Sequence, residues 1–387
     1  MNMSVMPKAA SEMDRVVGYL NQGNSGTKKS YNAPNPVERK ASQSKSDIGL
    51  YGVGDSFLDV VGKMKYEDLT TFGLSTKYGT NIEKEFARKI HDKMRDPQIF
   101  PGGNIPNALF AAACMGVPTA LMADVGDDPW GQIVIDKTKE AGIEAKINKV
   151  PNEKTSIVQV AVLPDGERAM AILHGKGHDV PVPSIEDLKK SKFMISKANF
   201  LRYVKNQTTI PEGLRKAKEA GCTTVLHMQD PEMVKDVRKK ITKIVNDGLV
   251  DIMIGSQSEF EKYFDIKDYH KKHYFDTDEM AERVIHKAKE SGKHIVFTRG
   301  NKGAVIVNNG KVHHIDPIKT ENVTDTTGAG DSFAGGYIAG LAIGKNETDA
   351  GKIAAHIASE TIQHRGARAP IDVLKSLRSR LSGQGLI

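Results

Sequence analysis

Short apolar runs alternate with longer amphipathic segments from Ile48 almost to the end of the chain. This alternation is typical of β-strands joined by helices, and it restricts the fold to an α/β arrangement with a mainly parallel sheet. The predicted strands are residues 48–53, which residues 57–64 continue, and 119–125, 193–201, 223–228, 250–255 and 294–300. The predicted helices are residues 108–115, 131–141, 211–220, 232–247, 277–291, 329–343, 347–365 and 371–381.

Two dipeptides indicate β-hairpins. Asp165-Gly166 and Asn309-Gly310 each separate two apolar runs. Both dipeptides favour the two-residue turns that join antiparallel strands. We expect the segments near 55–75 and 150–175 to build a small β lid over one edge of the main sheet.

The basic charge of the chain is concentrated at its beginning. Residues 1–46 contain seven Lys or Arg and three acidic residues, which is +4 of the net +7. Because this stretch is rich in Ser, Asn, Gly and Pro without sustained periodicity, it is predicted to be a flexible extension. The remaining +3 is unremarkable for a body of this size, so we expect no nucleic-acid partner.

Composition excludes several other classes of protein. No run of 18 apolar residues occurs, so neither a membrane-spanning helix nor a membrane partner is expected. The first residues lack the apolar stretch of a secretory signal. Cys114 and Cys222 are the two cysteines, too few for a disulfide framework. A reducing, cytoplasmic location is therefore expected.

Two glycine-rich segments match known phosphate-binding loops poorly. The segment 340–346 has the wrong spacing for a Walker loop, and Asn346 stands where that loop needs a hydroxyl for magnesium. Gly52-Val53-Gly54 follows a strand, but Phe57 occupies the third glycine position of a dinucleotide fingerprint. The acidic residue Asp59 also comes too early for that fingerprint.

A third segment, residues 325–336, fits anion binding. It is predicted to follow a short strand at 320–324 and to open an apolar helix. The N–H groups of Gly328, Ala329 and Gly330 would lie at the helix N-terminus, where an anion is favoured. Asp331 would lie in the first turn, next to a hydroxyl held near that anion. The pattern therefore predicts a base beside an anion hole.

Asp325-Thr326-Thr327-Gly328-Ala329-Gly330-Asp331 resembles the hallmark of the ribokinase, or PfkB, family of sugar and nucleoside kinases. The resemblance implies an ATP-dependent kinase with a ribokinase-like three-layer sandwich, a mainly parallel central sheet and a small β lid. The kinase domain would cover residues 47–387. Asp331 would be the catalytic base, and Gly328, Ala329 and Gly330 would form the anion hole for the transferred phosphoryl group.

Other segments resemble further family motifs, in the family's order. Residues 102–107 resemble the Gly-Gly-x-x-x-Asn element, residues 126–131 an element that shapes a turn and a helix start, and residues 298–303 a turn that contacts nucleotide phosphates. The resemblance assigns acceptor binding to Asp55, Asp59, Gly102, Gly103, Asn107 and Asp331. It assigns ATP binding to Thr298, Gly300, Gly303, Thr326, Gly328 and Gly330, and contact with Mg²⁺ through water to Glu259.

Two positions depart from the family pattern. Ser256, which has the shorter side chain, stands where the family commonly has Asn, three residues before Glu259. Asp55 stands where adenosine kinases more often have Asn. The extra carboxylate beside Asp59 leaves the identity of the acceptor open.

Residues 69–74 and 364–368 resemble segments of purine nucleoside kinases, which favours the 5′-hydroxyl of a purine nucleoside, adenosine first, as the acceptor. A sugar kinase for ribose or fructose, and a non-catalytic nucleotide-binding protein of the same fold, stay open as alternatives. Pairs of histidines such as His174 and His178 suggest a metal hydrolase, but no third ligand follows at standard spacing. The resemblance also places a site for a monovalent cation such as K⁺ near Asp325, and it allows a monomer or a homodimer.

Overall fold

The computed structural model describes residues 48–76, 79–165, 167–177, 179–266, 278–320 and 322–387. The extension predicted for residues 1–46, and His178, lie outside these described residues. Within them, no helix combines the length and the apolar composition needed to cross a membrane.

The strands of the described residues are, in chain order, β1 Ile48–Val53, β2 Phe57–Lys63, β3 Thr80–Asn81, β4 Arg95–Gly102, β5 Thr119–Gly126, β6 Glu144–Val150, β7 Ile157–Val162, β8 Arg168–Leu173, β9 Ser191–Lys197, β10 Thr223–His227, β11 Ile252–Ser256, β12 His294–Thr298, β13 Ala304–Asn308 and β14 Lys311–Ile315. The α-helices are Tyr66–Phe72, Lys84–Lys93, Asn104–Cys114, Pro129–Glu140, Ile185–Leu188, Asn206–Glu219, Pro231–Asn246, Gln257–Tyr263, Asp278–Ser291, Ala329–Ala342, Glu347–Thr361 and Ile371–Gly383.

Nine of these strands form one large sheet, in the order β14-β13-β12-β11-β10-β9-β1-β5-β6. Neighbours run parallel from β6 to β12, and β13 and β14 add an antiparallel hairpin at one edge. In β1, Gly52 lies opposite Leu121 on one side and Ile195 on the other. Because the carboxyl ends of parallel strands meet at one edge, the loops after β1, β9, β10 and β11 come together there.

Alternate residues of the strands pack into two separate cores. Leu50 joins the apolar cluster that contains Leu109, Phe333 and Ile353, whereas Tyr51, the next residue, joins the cluster of the other face. Successive side chains of a strand point to opposite faces, so helices cover both faces of the sheet. This arrangement is the three-layer sandwich that the resemblance implied.

The remaining strands form a second, smaller sheet in the order β3-β8-β7-β2-β4. Its strands β7 and β8 are antiparallel, with Val162 opposite Arg168, which confirms the predicted hairpin, although Gly166 of its turn lies outside the described residues. The described residues divide into two compact units. One contains Leu58–Phe100 and Ser156–His174, and the other contains the described residues of Asp47–Phe57, Pro101–Thr155 and Gly175–Ile387.

Several predicted boundaries are wrong. Residues 57–64 do not continue the first strand, because Gly54, Asp55 and Ser56 interrupt it and β2 pairs within the smaller sheet. The predicted strand 193–201 ends at Lys197 and turns into a 3₁₀ helix. The described residues of 320–324 are not in a strand. Strands β4 and β6 were not predicted, since prolines interrupt the first and polar residues dominate the second.

The turn after β5 is built around one carboxylate. Asp128 Oδ1 accepts the Gly131 N–H at 2.8 Å and the Thr155 hydroxyl at 2.7 Å, and its Oδ2 accepts the Thr155 N–H at 2.9 Å. Asp128 therefore caps the helix Pro129–Glu140 and ties it to the segment before β7. This is the structural role expected for the element at residues 126–131.

Two helices with small residues approach each other backbone to backbone. A Cβ atom added at Gly335 would lie 2.0 Å from the carbonyl oxygen of Ala108. The helices Ala329–Ala342 and Asn104–Cys114 can therefore approach this closely only because residue 335 has no side chain. The approach sets the N-terminal turns of the two helices side by side.

Candidate active site

The candidate site lies at the N-terminus of the helix Ala329–Ala342. Gly328 precedes this helix with φ +75°, and a Cβ atom there would lie 2.3 Å from the carbonyl oxygen of Ala367, so glycine is required. A Cβ atom at Gly330 would meet nothing within 4 Å, which leaves the outer side of the turn open. First-turn N–H groups of a helix lack intrahelical acceptors, so this open turn is suited to hold an anion.

Amide side chains surround the carboxylate of Asp331, which is only 5% exposed. Asn107 Nδ2 donates to Oδ2 at 3.0 Å, and Gln229 Nε2 donates to Oδ1 at 2.9 Å. Asn104 Nδ2 lies 3.2 Å from both oxygens and divides its donation between them. The carboxylate is thus fixed by neutral donors that come from two different parts of the chain.

Burial raises the pKa of Asp331 to about 6, although the amide donors and the Lys197 ammonium act in the opposite direction. The nearby His227 Nδ1 lies 3.8 Å from Asp331 Oδ1, and burial lowers the pKa of that imidazole to about 3. His227 is therefore neutral near pH 7, and the contact is not an ion pair. A carboxylate with a pKa near 6 is mostly ionised at neutral pH and can accept a proton from a hydroxyl group.

An ion pair is buried beside this carboxylate. Lys197 Nζ lies 2.5 Å from Asp55 Oδ2 and donates to Asn104 Oδ1 at 3.2 Å. Asp55 Oδ1 is buried, and no group among the described residues donates to it. Since a buried carboxylate oxygen ordinarily has a donor, this atom is suited to receive the hydroxyl of a ligand.

The residues of the Gly-Gly-x-x-x-Asn element shape the site and position Asp331. Gly103 has φ +103°, and a Cβ atom there would lie 3.0 Å from the carbonyl oxygen of Asp55, so glycine lets the two loops approach. Gly102, which ends β4, is buried. Asn107, expected to contact the acceptor, donates instead to Asp331, and its Oδ1 accepts the Arg368 Nε–H at 2.8 Å.

Asp59, the other carboxylate expected to bind the acceptor, lies on β2 and faces Val158 in the register of the smaller sheet. It is half-buried. It belongs to the unit that contains Leu58–Phe100, whereas Asp55 and Asp331 belong to the other unit.

Glu259 is held at the start of its helix by a reciprocal cap. Ser256 N–H donates to Glu259 Oε2 at 2.8 Å, and the Glu259 N–H donates to the Ser256 hydroxyl at 3.3 Å. Burial raises the pKa of Glu259 to about 7, while backbone N–H groups of Ser256, Asp230 and Gln229 oppose that rise. Ser256 therefore serves as an N-cap, a role that serine and asparagine fill about equally well.

Two consecutive residues with positive φ connect Glu259 to Asp331. Gln229 and Asp230 have φ of 56° and 59°, unusual values for residues with a side chain. Their backbone N–H groups face Glu259, whereas the Gln229 side chain donates to Asp331 and approaches His227 Nδ1 at 3.0 Å. Strained backbone of this kind is concentrated at functional sites.

The residues expected to bind nucleotide differ in their surroundings: some positions are open and others are packed against the backbone. Gly300 has φ +55°, and a Cβ atom there would meet nothing within 4 Å, whereas a Cβ atom at Gly303 would lie 2.0 Å from the Ile315 carbonyl oxygen. Gly303 is therefore required by the packing of the strands. Thr298 ends β12, and the Thr326 carbonyl accepts the Ala329 N–H at 3.3 Å.

The carboxylate of Asp325 organises the loop in front of the anion-binding turn. Its Oδ1 accepts the Thr327 N–H at 2.9 Å, and its Oδ2 accepts the Gly366 N–H at 2.7 Å. Both oxygens thus bind the backbone, which fixes the loop near which the resemblance places a monovalent cation.

The open turn and the acidic residues fit a nucleotide that brings its own metal ion. Among the described residues, no group of three or more His, Cys, Asp or Glu side chains is arranged to hold a metal ion. Magnesium bound to nucleotide phosphates keeps several waters and needs only one or two protein carboxylates. Glu259, the carboxylate expected to contact such a water, follows β11 and accepts backbone N–H groups.

Five residues of the site had no role predicted from the sequence: Asn104, Lys197, His227, Gln229 and Arg368. One of them had a usable signal, because Lys197 is the single basic residue of the mostly apolar predicted strand 193–201. Buried lysines are almost always paired, so a lysine there predicts a nearby carboxylate. The other four come together only through the topology of the sheet and its loops.

Comparison with known proteins supports the resemblance. The family described as pfkB family carbohydrate kinase matches residues 67–374. The chain is similar to adenosine kinase 2 of Arabidopsis thaliana, 23% identical over 354 residues, which covers 85% of this chain and 98% of that protein. It is also similar to ribokinase of Staphylococcus aureus (strain COL), 25% identical over 323 residues, which covers 82% of this chain and 97% of that protein.

Solved structures show the same fold. A probable sugar kinase from Rhizobium etli CFN 42 superimposes with a TM-score of 0.77 at 22% identity and covers 88% of this chain and 100% of its own. Adenosine kinase from Sinorhizobium meliloti superimposes with a TM-score of 0.76 at 21% identity and covers 87% of this chain and 99% of its own. The ribokinase-like α/β fold expected from the sequence is thereby confirmed. Because the family match spans most of its length, the chain belongs to the pfkB family of carbohydrate kinases and is an ATP-dependent kinase for a nucleoside or sugar.

Proposed function

We propose that this kinase transfers the γ-phosphoryl group of ATP to the 5′-hydroxyl of a purine nucleoside, adenosine first, with Asp331 as the general base. The observation that carries the proposal is a buried carboxylate with a pKa near 6, placed beside the open glycine turn 328–330. An alcohol is a weak nucleophile, and a base close to the phosphoryl group assists its attack.

The geometry around Asp331 suits proton transfer. Asn104 divides one donor between the two carboxylate oxygens at 3.2 Å, the longest of the amide contacts. An acceptor hydroxyl can replace this weak donor while Asn107 and Gln229 keep the carboxylate in place. Asp331 would then take the hydroxyl proton as the oxygen attacks, and the N–H groups of residues 328–330 would stabilise the developing negative charge, with that of Ala329 exchanging its long bond to the Thr326 carbonyl.

Mg²⁺, bound to the phosphates of ATP, would offset their negative charge. Glu259 would orient a water of that ion, and Thr298, Gly300, Gly303 and Thr326 would line the path of the phosphates. We also propose a K⁺ site near Asp325, whose carboxylate already fixes the loop through backbone N–H groups.

The acceptor would be held by Asp55, Asp59, Gly102 and Gly103, with Asn107 acting through Asp331. The unit containing Leu58–Phe100 and Ser156–His174 would act as the lid of a kinase domain that begins at residue 47. Closure of a lid excludes water, which otherwise takes the place of the acceptor and hydrolyses ATP.

A sugar kinase is the second candidate. The Staphylococcus aureus relative named ribokinase is about as similar as the Arabidopsis relative named adenosine kinase 2. The carboxylate of Asp55, where adenosine kinases more often have Asn, also favours an acceptor rich in hydroxyl groups. The two candidates share the base, the anion-binding turn and the requirement for ATP.

An acceptor panel tests the proposal. The full chain is supplied with ATP and Mg²⁺ and with adenosine, inosine, guanosine, ribose or fructose, and the phosphorylated product is identified by mass spectrometry. We expect adenosine to give the highest kcat/KM, and Asp331→Asn to lower kcat by about 10²–10⁴-fold. Asp316→Asn, at an exposed carboxylate, is the matched control.

Two results would reject the nucleoside assignment. Phosphorylation of ribose or fructose alone would replace it with the second candidate. Binding of ATP without turnover of any acceptor would favour the non-catalytic alternative. Near-normal turnover by Asp331→Asn would remove Asp331 from its role whichever acceptor is used.

A further inference from the structure

The ion pair between Lys197 and Asp55 is buried beside the Asp331 carboxylate. Lys197 is the last residue of β9, and its side chain is 6% exposed. Burying two opposite charges costs about as much as their attraction returns, so such a pair is weak evidence for a stabilising role. Its position at the carboxyl edge of the sheet indicates a role in the site.

The Lys197 ammonium group has a partner within the protein for each of its three N–H donors. One faces Asp55 Oδ2 at 2.5 Å, and another faces Asn104 Oδ1 at 3.2 Å. The nitrogen also lies 4.3 Å from the centre of the Phe200 ring, which occupies the third direction through a cation–π contact. An ammonium group has three donors, so Lys197 is engaged by the protein and is not itself placed to bind an anionic acceptor.

The contact with Lys197 fixes the orientation of the Asn104 amide. An asparagine side chain can rotate by half a turn and exchange its oxygen with its nitrogen. Because Lys197 can only donate, Asn104 must turn Oδ1 toward it, and Nδ2 then points at the Asp331 carboxylate. Without the ammonium, the amide is free to turn its oxygen toward the carboxylate, which would repel it.

We propose that Lys197 is a positioning residue that acts on Asp331 through Asn104 and through its charge, and that Asp55 acts on Asp331 in the opposite sense. This inference rests on the proposed function only for its catalytic consequence. The charge relationship itself holds in the protein without substrate.

The signs follow from the charges that surround Asp331. Lys197 lowers the pKa of Asp331, and Asp55 raises it. His227 is neutral near pH 7, and Arg368 contacts the site through Asn107. Removing the lysine charge must therefore move the titration of Asp331 to higher pH, and removing the Asp55 charge must move it to lower pH.

The titration of Asp331 can be followed directly by ¹³C NMR of protein labelled at the aspartate side-chain carboxyl. The signal is assigned by its loss in Asp331→Asn. We expect Lys197→Met to raise the titration midpoint by about one pH unit and Asp55→Asn to lower it, because a neighbouring charge shifts a pKa by about one to three units. The double variant is expected to return close to the wild-type midpoint.

Lys192→Met is the matched control, since Lys192 is an exposed lysine on the same strand. It is expected to leave the midpoint unchanged. If Lys197→Met does not fold, Asp55→Asn and the double variant still give the sign test. Midpoints that do not move, or that move in the same direction in Lys197→Met and Asp55→Asn, would overturn the inference.

Kinetics then connect the charge relationship to catalysis. With the best acceptor of the panel, Lys197→Met should move the acid limb of kcat/KM upward by the same amount as the NMR midpoint, with the KM for ATP unchanged. If the NMR titration midpoint of Asp331 moves but the acid limb of the kcat/KM profile does not, the inference is supported and Asp331 is rejected as the base. An unmoved midpoint with normal turnover would reject the inference and leave the proposed function standing.

Discussion

The pH dependence of turnover follows from the burial of Asp331. With a pKa of about 6, the carboxylate is about 99% ionised at pH 8 and about 9% ionised at pH 5. If Asp331 is the base, kcat/KM falls by about tenfold between these two values. An aspartate with its ordinary pKa of 3.8 would lose less than about a tenth of its ionised form over the same range.

The assay measures phosphorylated product directly, because coupling enzymes have their own pH limits. Glu259 titrates nearby, with a pKa of about 7. The variant Glu259→Gln keeps that side chain neutral, so an acid limb that persists in it belongs to Asp331. A profile that is flat down to pH 5, or a limb near pH 4, would refute the reasoning that burial sets the pKa of the base.

The same pKa has a consequence for stability, which gives a second readout. The pKa of Asp331 is higher in the folded protein than the unfolded value of 3.8, so the fold favours the protonated form. This contribution to stability is complete below pH 3.8 and is lost as the pH rises through about 6. The cost at pH 8 is about 3 kcal/mol. The difference in unfolding free energy between Asp331→Asn and wild type should therefore shift in favour of the variant by about 2.4 kcal/mol between pH 4 and pH 8. A difference that stays constant with pH would contradict it.

Substitutions at three further positions test the scaffold of the site. Gly335→Ala places a methyl group against the Ala108 carbonyl and should lower stability by about 1–3 kcal/mol or more, as measured by denaturant unfolding. Ser256→Ala removes a capping box and should cost about 1 kcal/mol, whereas Ser256→Asn should keep the wild-type stability, both read from thermal unfolding. Asp128→Ala leaves the Thr155 N–H and hydroxyl without their acceptor and should cost about 2 kcal/mol in the same measurement.

The controls for these substitutions come from the same chain. Gly383→Ala introduces the same methyl group where a Cβ atom would meet nothing within 4 Å, and it should leave stability unchanged or slightly higher. Asp127→Ala is the control for Asp128→Ala. Asp127 is exposed, and its ion pair with Lys149 is long, at 3.8 Å, so its removal should change stability little. Equal losses in a substitution and its control would show that the specific contact contributes little. A loss in Ser256→Asn equal to that in Ser256→Ala would exclude the capping explanation.

The elements with strong local signals were predicted well. The apolar run at residues 223–228 and the helix at residues 232–247 match β10 and the helix Pro231–Asn246 within a few residues. Their signals are the burial of apolar side chains and regular periodicity, which act over short distances along the chain. The extent of β9 was missed, because residues 198–201 continue the apolar run but curl into a 3₁₀ helix.

Residues of the candidate site could be predicted from the sequence where they belong to a short continuous motif. Residues 325–331 contain the open glycine turn and Asp331 in consecutive positions, so a local motif was enough. The surrounding Asn104 and Gln229 are each far from Asp331 in sequence, and no short pattern joins them. Their approach depends on which strands are neighbours in the sheet, and periodicity does not specify that order.

The amides around Asp331 explain how one carboxylate can be both buried and ionisable. A lysine placed directly against Asp331 would hold its pKa low and make it a poor acceptor of protons, whereas a wholly apolar pocket would raise the pKa further and keep the carboxyl protonated near neutral pH. Neutral donors from Asn107 and Gln229 stabilise the charged form to an intermediate degree. The effect of Lys197 on the Asp331 carboxylate is weaker than that of a lysine in direct contact, because Asp55 compensates the charge of Lys197. Together with burial, the charged pair and the amides therefore hold the pKa of Asp331 at about 6, so the carboxylate that we propose as the base is mostly ionised at neutral pH.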